Sequence, residues 1–246
     1  MKALLFFIAI FASLALHAAP LPSGPGKQVA VFVALCDNEH QGIASVPEKI
    51  GNGFVPSQNL YWGCSDALPK VLRASCDWGR PQYFSTYDGQ PETVLETVVC
   101  TRADNAATVY AYAYRGDSIE ACMTDFEASI ASSRYDLVAY IGHNGLMDVE
   151  LPEPAPAASK TDVVVLCCLS NEWFSDRVRR MGATPILMTR QFMYPAGKVF
   201  TEVLAAWLKA PRNAASIHSA AARAYAQNQG ISVKAAGGVF IAPTAK

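Results

Sequence analysis

Several short runs of this chain are apolar almost from end to end: QVAVFVALC from Gln28 to Cys36, ATVYAYAYR from Ala107 to Arg115, YDLVAYI from Tyr135 to Ile141, DVVVLCC from Asp162 to Cys168, and TPILMT from Thr184 to Thr189. A strand with one wet face alternates apolar and polar residues, whereas a strand covered on both faces has no need to. Helical segments fall between these runs. Ser118 is placed to cap a helix reaching about Ala131, and Gly182 to close one over Asn171 to Met181. Pro211 stops a helix over Ala196 to Ala210, and Gly230 ends one over Ser216 to Gln229. Strands alternating with helices predict an α/β fold, a three-layer sandwich on a mostly parallel sheet of about six strands. Tyr83 to Tyr87 supplies the remaining strand. Pro91-Glu92 suits the start of a helix over Thr93 to Cys100, although that segment is rich in β-branched residues. Asn59 is placed to cap a helix carrying Leu60, Tyr61, Ala67, Leu68 and Leu72, with Pro69 marking a break or a late start.

The amino terminus carries a different signal. Lys2 is followed by ALLFFIAIFASLAL and then His17-Ala18-Ala19, the pattern of a cleavable secretory signal peptide over residues 1–19. Residues 20–27 read as a flexible leader and 28–246 as a single α/β domain. The expected location is periplasmic or secreted, with no stable membrane insertion after cleavage. The chain of 246 residues has a net charge of −1 and no basic tract, so nothing in it points to nucleic acid. Export implies an oxidising compartment in which disulfides persist. The seven cysteines are an odd number, so at least one is unpaired within the chain. None of the cysteines has CxxC spacing, so no metal site is expected.

In a parallel α/β sheet, ligands bind beyond the carboxyl ends of the strands. Three segments bring reactive groups there: Cys36-Asp37-Asn38-Glu39-His40, Gly142-His143-Asn144-Gly145 and Cys167-Cys168. An acyl-transfer cysteine needs a thiolate, an imidazole to move protons and N–H donors for the oxyanion. His143 follows one buried strand and Cys168 ends the next in sequence, so the two share a crevice if those strands are neighbours. Asp37, Asn38 and Glu39 are candidates to bind substrate, with a carboxylate there able to hold a basic side chain or to orient His143. Asp148 is a further candidate to contact His143. Cys167 and Cys168 point to opposite faces of a strand, and either also suits an inert core position or a disulfide.

The segments YDLVAYIGHNG and TDVVVLCCLS, in that order, resemble the caspase-like cysteine peptidases, the group of gingipains, clostripain-type enzymes and legumain. The resemblance implies a caspase-like sandwich, Cys168 as nucleophile, His143 as general acid and base, and backbone N–H groups of Cys168 and Gly145 as oxyanion donors. It implies a peptide or protein substrate, and no metal or cofactor. The chain departs from that pattern in two ways: Asn144 rather than glycine follows His143, and the connection from Glu150 to Lys160 is too proline-rich for a crossover helix. The runs ALCDNEHQGIASVPEKIGNG, NLYWG and GHNGLMD also resemble an uncharacterised group of secreted bacterial proteins. The reading is an exported cysteine hydrolase of peptidase type. The alternatives are a non-catalytic periplasmic binding domain on the same scaffold and a thiol redox protein using Cys167 and Cys168.

Overall fold

A computed structural model describes residues 22–85, 90–209 and 213–241. The expected signal peptide lies outside the described residues. In chain order the elements are β1 (Lys27–Ala34), α1 (Leu68–Ala74), β2 (Gln82–Phe84), β3 (Val94–Thr101), β4 (Ala107–Tyr114), α2 (Ile119–Ser132) and β5 (Leu137–Ile141). These are followed by β6 (Asp162–Leu166), α3 (Ser170–Arg180), β7 (Thr184–Thr189), α4 (Gly197–Trp207), α5 (Ala214–Gln229), α6 (Val233–Gly237) and β8 (Phe240–Ile241).

The strands form one sheet in the order β2-β3-β4-β1-β5-β6-β7-β8. The five central strands, β4, β1, β5, β6 and β7, run parallel. β3 pairs antiparallel with β4, β2 with β3, and β8 with β7. Helices cover both faces, which is why the central strands carry no polar alternation. Along β1, Val29, Val31 and Val33 join a core with Leu68 of α1, Phe200 of α4 and Ile217 of α5. Ala30, Phe32 and Ala34 face the other way, toward Phe126 of α2 and Phe174 of α3. Phe126 is the hub of that second core, its ring about 6 Å from those of Phe32, Tyr140 and Phe174.

The α/β class and the mostly parallel sheet agree with the sequence, and several details do not. The sheet has eight strands rather than about six. Val94–Thr101 is a strand, not a helix. Its β-branched Val94, Thr97, Val98 and Val99 fit a pleated surface beside β4, and that outweighs the helix-like Pro-Glu start. Asn59 caps no α-helix. The helix begins at Leu68, with Pro69 in the first turn, where its missing N–H costs nothing. Ser118 stands at the start of α2, but its hydroxyl donates to Asp117 and accepts from no N–H of the helix. α5 starts at Ala214, where Asn213 accepts from the N–H groups of Ala215 and Ser216. The part of the leader that is described is held in place: Ser23 and Gly24 donate backbone N–H groups to the Tyr110 hydroxyl.

β5 and β6 are joined without an α-helix. The connection crosses the α2 and α3 face, where Leu151 and Ala157 pack against the core. Arg177 and Arg180 of α3 donate to the carbonyls of Pro152 and Pro154. All seven cysteines are free thiols, so the structure contains none of the bridges expected from export.

Candidate functional site

The sheet brings His143 and Cys168 to the same end of two neighbouring strands. β5 and β6 pair in parallel from Leu137↔Asp162 to Ile141↔Leu166 with unbroken register. His143 follows Ile141 by the same number of residues as Cys168 follows Leu166. The two therefore leave neighbouring strands at equal height, and neighbouring strands lie about 4.8 Å apart. The alternation of the strands sets the faces. Leu166 lies in the α4 and α5 core and Cys167 in the α2 and α3 core, so Cys168 returns to the first side. Cys167 is fully buried, and burial holds its thiol well above the ordinary range. It is a core residue.

His143 and Cys168 both line a cavity of about 400 Å3 at the carboxyl end of the sheet. Its other walls come from the Gly42–Val46 loop after β1, from Leu60 and Tyr61, and from Phe192–Pro195 after β7. Gly142, also on the wall, has φ of +149°, a conformation glycine adopts freely. Its N–H donates to the Leu166 carbonyl, which ends the strand while keeping it against β6.

Each side chain is held from behind. The Nε2 of His143 lies 2.9 Å from Asp148 Oδ2. The same oxygen accepts from the Gly42 N–H at 3.1 Å. A 3-10 turn over Gly145–Met147 carries residue 148 back toward residue 143. With Nε2–H donated to the carboxylate, Nδ1 is the ring nitrogen left to accept a proton. Asn144 explains its own presence: its Oδ1 accepts from Leu146 N–H, capping that turn, and its Nδ2 donates to the Cys168 carbonyl at 2.8 Å. Leu169, directly after Cys168, is in the left-handed region at φ 52°, so strand β6 turns sharply into α3. The Met193 N–H approaches the Cys168 sulfur to 3.4 Å, and the start of α3 lies close behind. The thiol in turn donates to the Met193 carbonyl at 3.6 Å, so both backbone groups of Met193 fix the position of the sulfur.

The remaining candidates are placed elsewhere. Gly145 is packed against Ile119 and Met123, where a Cβ would come within about 3 Å of either side chain, and it is not on the cavity wall. Its glycine serves packing against α2. Asp37 is buried and orders its own loop: it accepts from the N–H groups of Glu39 and His40 and pairs with His40 Nδ1 at 3.0 Å. That hydrogen bond raises the proton affinity of His40. Asn38 closes the loop onto the backbone of Val46 through both ends of its amide, and Glu39 is exposed. None of the three reaches the cavity wall. Asp148, rather than Asp37 or Glu39, is the carboxylate that meets His143.

Sequence reasoning did not single out Ile43, Val46 or the Phe192–Pro195 loop, and no periodicity marks them. Asn59 had been expected as a cap. It instead delivers Tyr61 to the site, accepting from the N–H groups of Cys36 and Tyr61 and donating to the carbonyls of Cys36 and Asn52. The Tyr61 hydroxyl is hydrogen-bonded to the Cys36 thiol, which burial pushes up to about 11. Among the described residues no group of three or more His, Cys, Asp or Glu side chains is arranged to hold a metal ion. No helix among them is long and apolar enough to cross a membrane. No protein-family model matches the chain, and neither does any curated protein or any solved structure.

Proposed function

We propose that the protein is a cysteine hydrolase acting on peptide bonds, with Cys168 as nucleophile and His143 as general acid and base. One observation carries this reading: an imidazole backed by a carboxylate and a partly exposed thiol stand at equal height on adjacent parallel strands and face one cavity. The caspase-like resemblance of the two strand ends points the same way. Nδ1 of His143 takes the thiol proton, and the sulfur adds to the carbonyl carbon of the substrate. The oxyanion that forms is next to the backbone N–H of Cys168. Collapse of the tetrahedral species breaks the C–N bond while His143 returns its proton to the departing amine, leaving a thioester. Water then adds to the thioester carbonyl and gives its proton to His143. Release of the carboxylic acid restores the thiol. Asp148 holds the ring and stabilises its charged form throughout, and Gly145 has no part in the oxyanion site.

The test is a broad panel of fluorogenic peptides assayed with the parent protein and with Cys168→Ala and His143→Ala. Turnover by the parent and a loss of at least about a hundredfold in both variants is the expected result. Undiminished turnover in Cys168→Ala removes the sulfur from the mechanism.

A further inference from the structure

We infer that the cavity beside Cys168 receives an uncharged, apolar side chain of the acyl donor, the residue whose carbonyl the sulfur would attack. The inference rests on the hydrolase reading for its chemistry and on the wall for its selectivity. Four separate segments supply that wall, and each presents hydrocarbon or sulfur: Ile43 and Val46 after β1, Leu60 before Tyr61, Met147 after His143, and Phe192 and Met193 after β7. Met147 and Phe192 are exposed at the rim, at 41% and 72%. Large apolar side chains left in water at the mouth of a cavity mark a recognition surface.

Among the described residues, no Asp, Glu, Lys or Arg lines the cavity. Two carboxylates that the sequence offers to a basic substrate or to His143 are accounted for otherwise. Asp37 is turned into its own loop and Asp148 is held by His143 and Gly42. A lysine, arginine or aspartate side chain entering here would give up its hydration with no Asp, Glu, Lys or Arg on the wall to pair with. A leucine, methionine or phenylalanine side chain would leave water for a matching wall. The volume of about 400 Å3 holds a side chain of that size together with the flanking backbone.

The experiment uses peptidyl chloromethyl ketones that differ only in the side chain next to the ketone: leucine, phenylalanine, lysine or aspartate. The Cys168 sulfur forms a bond to the methylene carbon and chloride leaves with the bonding pair, so the reaction needs no turnover. Rates are read as the mass gain of the peptide containing Cys168 and normalised to the reaction of each reagent with glutathione. The leucine and phenylalanine reagents are expected to react roughly 10- to 200-fold faster than the charged ones. Ile43→Asp is expected to cut that advantage below threefold and to speed the lysine reagent. Ile43→Ala, which adds no buried charge, is expected to shift preference from leucine toward phenylalanine. Equal rates for all four reagents, or a faster lysine or aspartate reagent, overturn the inference. Peptide turnover with a charged residue at that position keeps the hydrolase and refutes the apolar site. Apolar selectivity in alkylation without hydrolysis of any peptide keeps the apolar site and refutes the hydrolase.

Discussion

Asp148→Asn isolates the charge behind His143. Asparagine with its oxygen in the place of Oδ2 keeps both bonds that the carboxylate accepts, from His143 Nε2 at 2.9 Å and Gly42 N–H at 3.1 Å. Only the negative charge goes. The two side chains are 9% and 17% exposed, so water screens them poorly. Unit charges at that separation interact by about 6 kcal/mol at an effective dielectric near 20, a ceiling that desolvation reduces. A hydrogen bond to a charged group contributes a net 1.5–3 kcal/mol or so. If that net amount stabilises the imidazolium formed when the thiol gives up its proton, its loss lowers kcat by roughly 10- to 160-fold. Initial rates on the best peptide of the panel, at saturating and limiting concentration, give kcat and KM separately. Urea unfolding of the same variant reports the fold. The expected pattern is the fall in kcat, a KM within about threefold, and a stability change below about 1 kcal/mol. A folded Asp148→Asn protein with kcat within threefold of the parent would falsify the role given to this carboxylate.

Three further outcomes are open to measurement. Asn59→Ala strips partners from four backbone groups around Cys36, Asn52 and Tyr61; a loss of about 3–5 kcal/mol in urea unfolding is expected, and a loss under about 1 kcal/mol would mean that water replaces the clamp. The thiols of Cys36 and Cys100 are pushed up to about 11 by burial. Each holds its proton more tightly when folded, so its contribution is complete below the ordinary thiol range and is lost as pH climbs toward about 11. From about pH 8.5 to 10.5 each should remove about 2 kcal/mol of stability, and Cys100→Ala should flatten the slope of stability against pH. An unchanged slope in Cys100→Ala would show that this thiol titrates as it does in the unfolded chain. Iodoacetamide at neutral pH should modify Cys168 and exposed Cys76 while sparing buried Cys122 and Cys167 in the folded protein; peptide masses decide it, and early labelling of Cys167 would contradict the assignment of Cys167 to the core.

The parts of the fold that were legible in the sequence are those in which one local rule acts alone. β1, β4, β5, β6 and β7 stand out because strands covered on both faces lose all polar alternation. Gly182 and Gly230 end their helices because both adopt positive φ. β3 was obscured because Pro91-Glu92 opens a helix and a strand equally well, and the decision came from pairing with β4. The adjacency of His143 and Cys168 was conditional on strand order, which no local pattern encodes, and the parallel pairing of β5 with β6 supplies it. Choosing among Asp37, Glu39 and Asp148 depended on a 3-10 turn that folds residue 148 back on residue 143. Most of the cavity wall was illegible because Ile43 and Phe192 come from loops far apart in sequence, each of them unremarkable by itself.

The absence of an α-helix between β5 and β6 has a consequence for how this molecule tolerates change. The distance from ring to sulfur is set by ladder hydrogen bonds between two strands, and the residues that tether one to the other in sequence only need to span the gap. Most of residues 150–158 are exposed, and the segment belongs to no regular element. Two residues inserted near Pro156 should therefore leave the alkylation rate of Cys168 unchanged, whereas one residue inserted within Val163–Leu166 should abolish it by swinging the sulfur to the opposite face. Lengthening the tether freely while the ladder stays intolerant would be the mark of a reactive pair fixed by the sheet and indifferent to its own wiring.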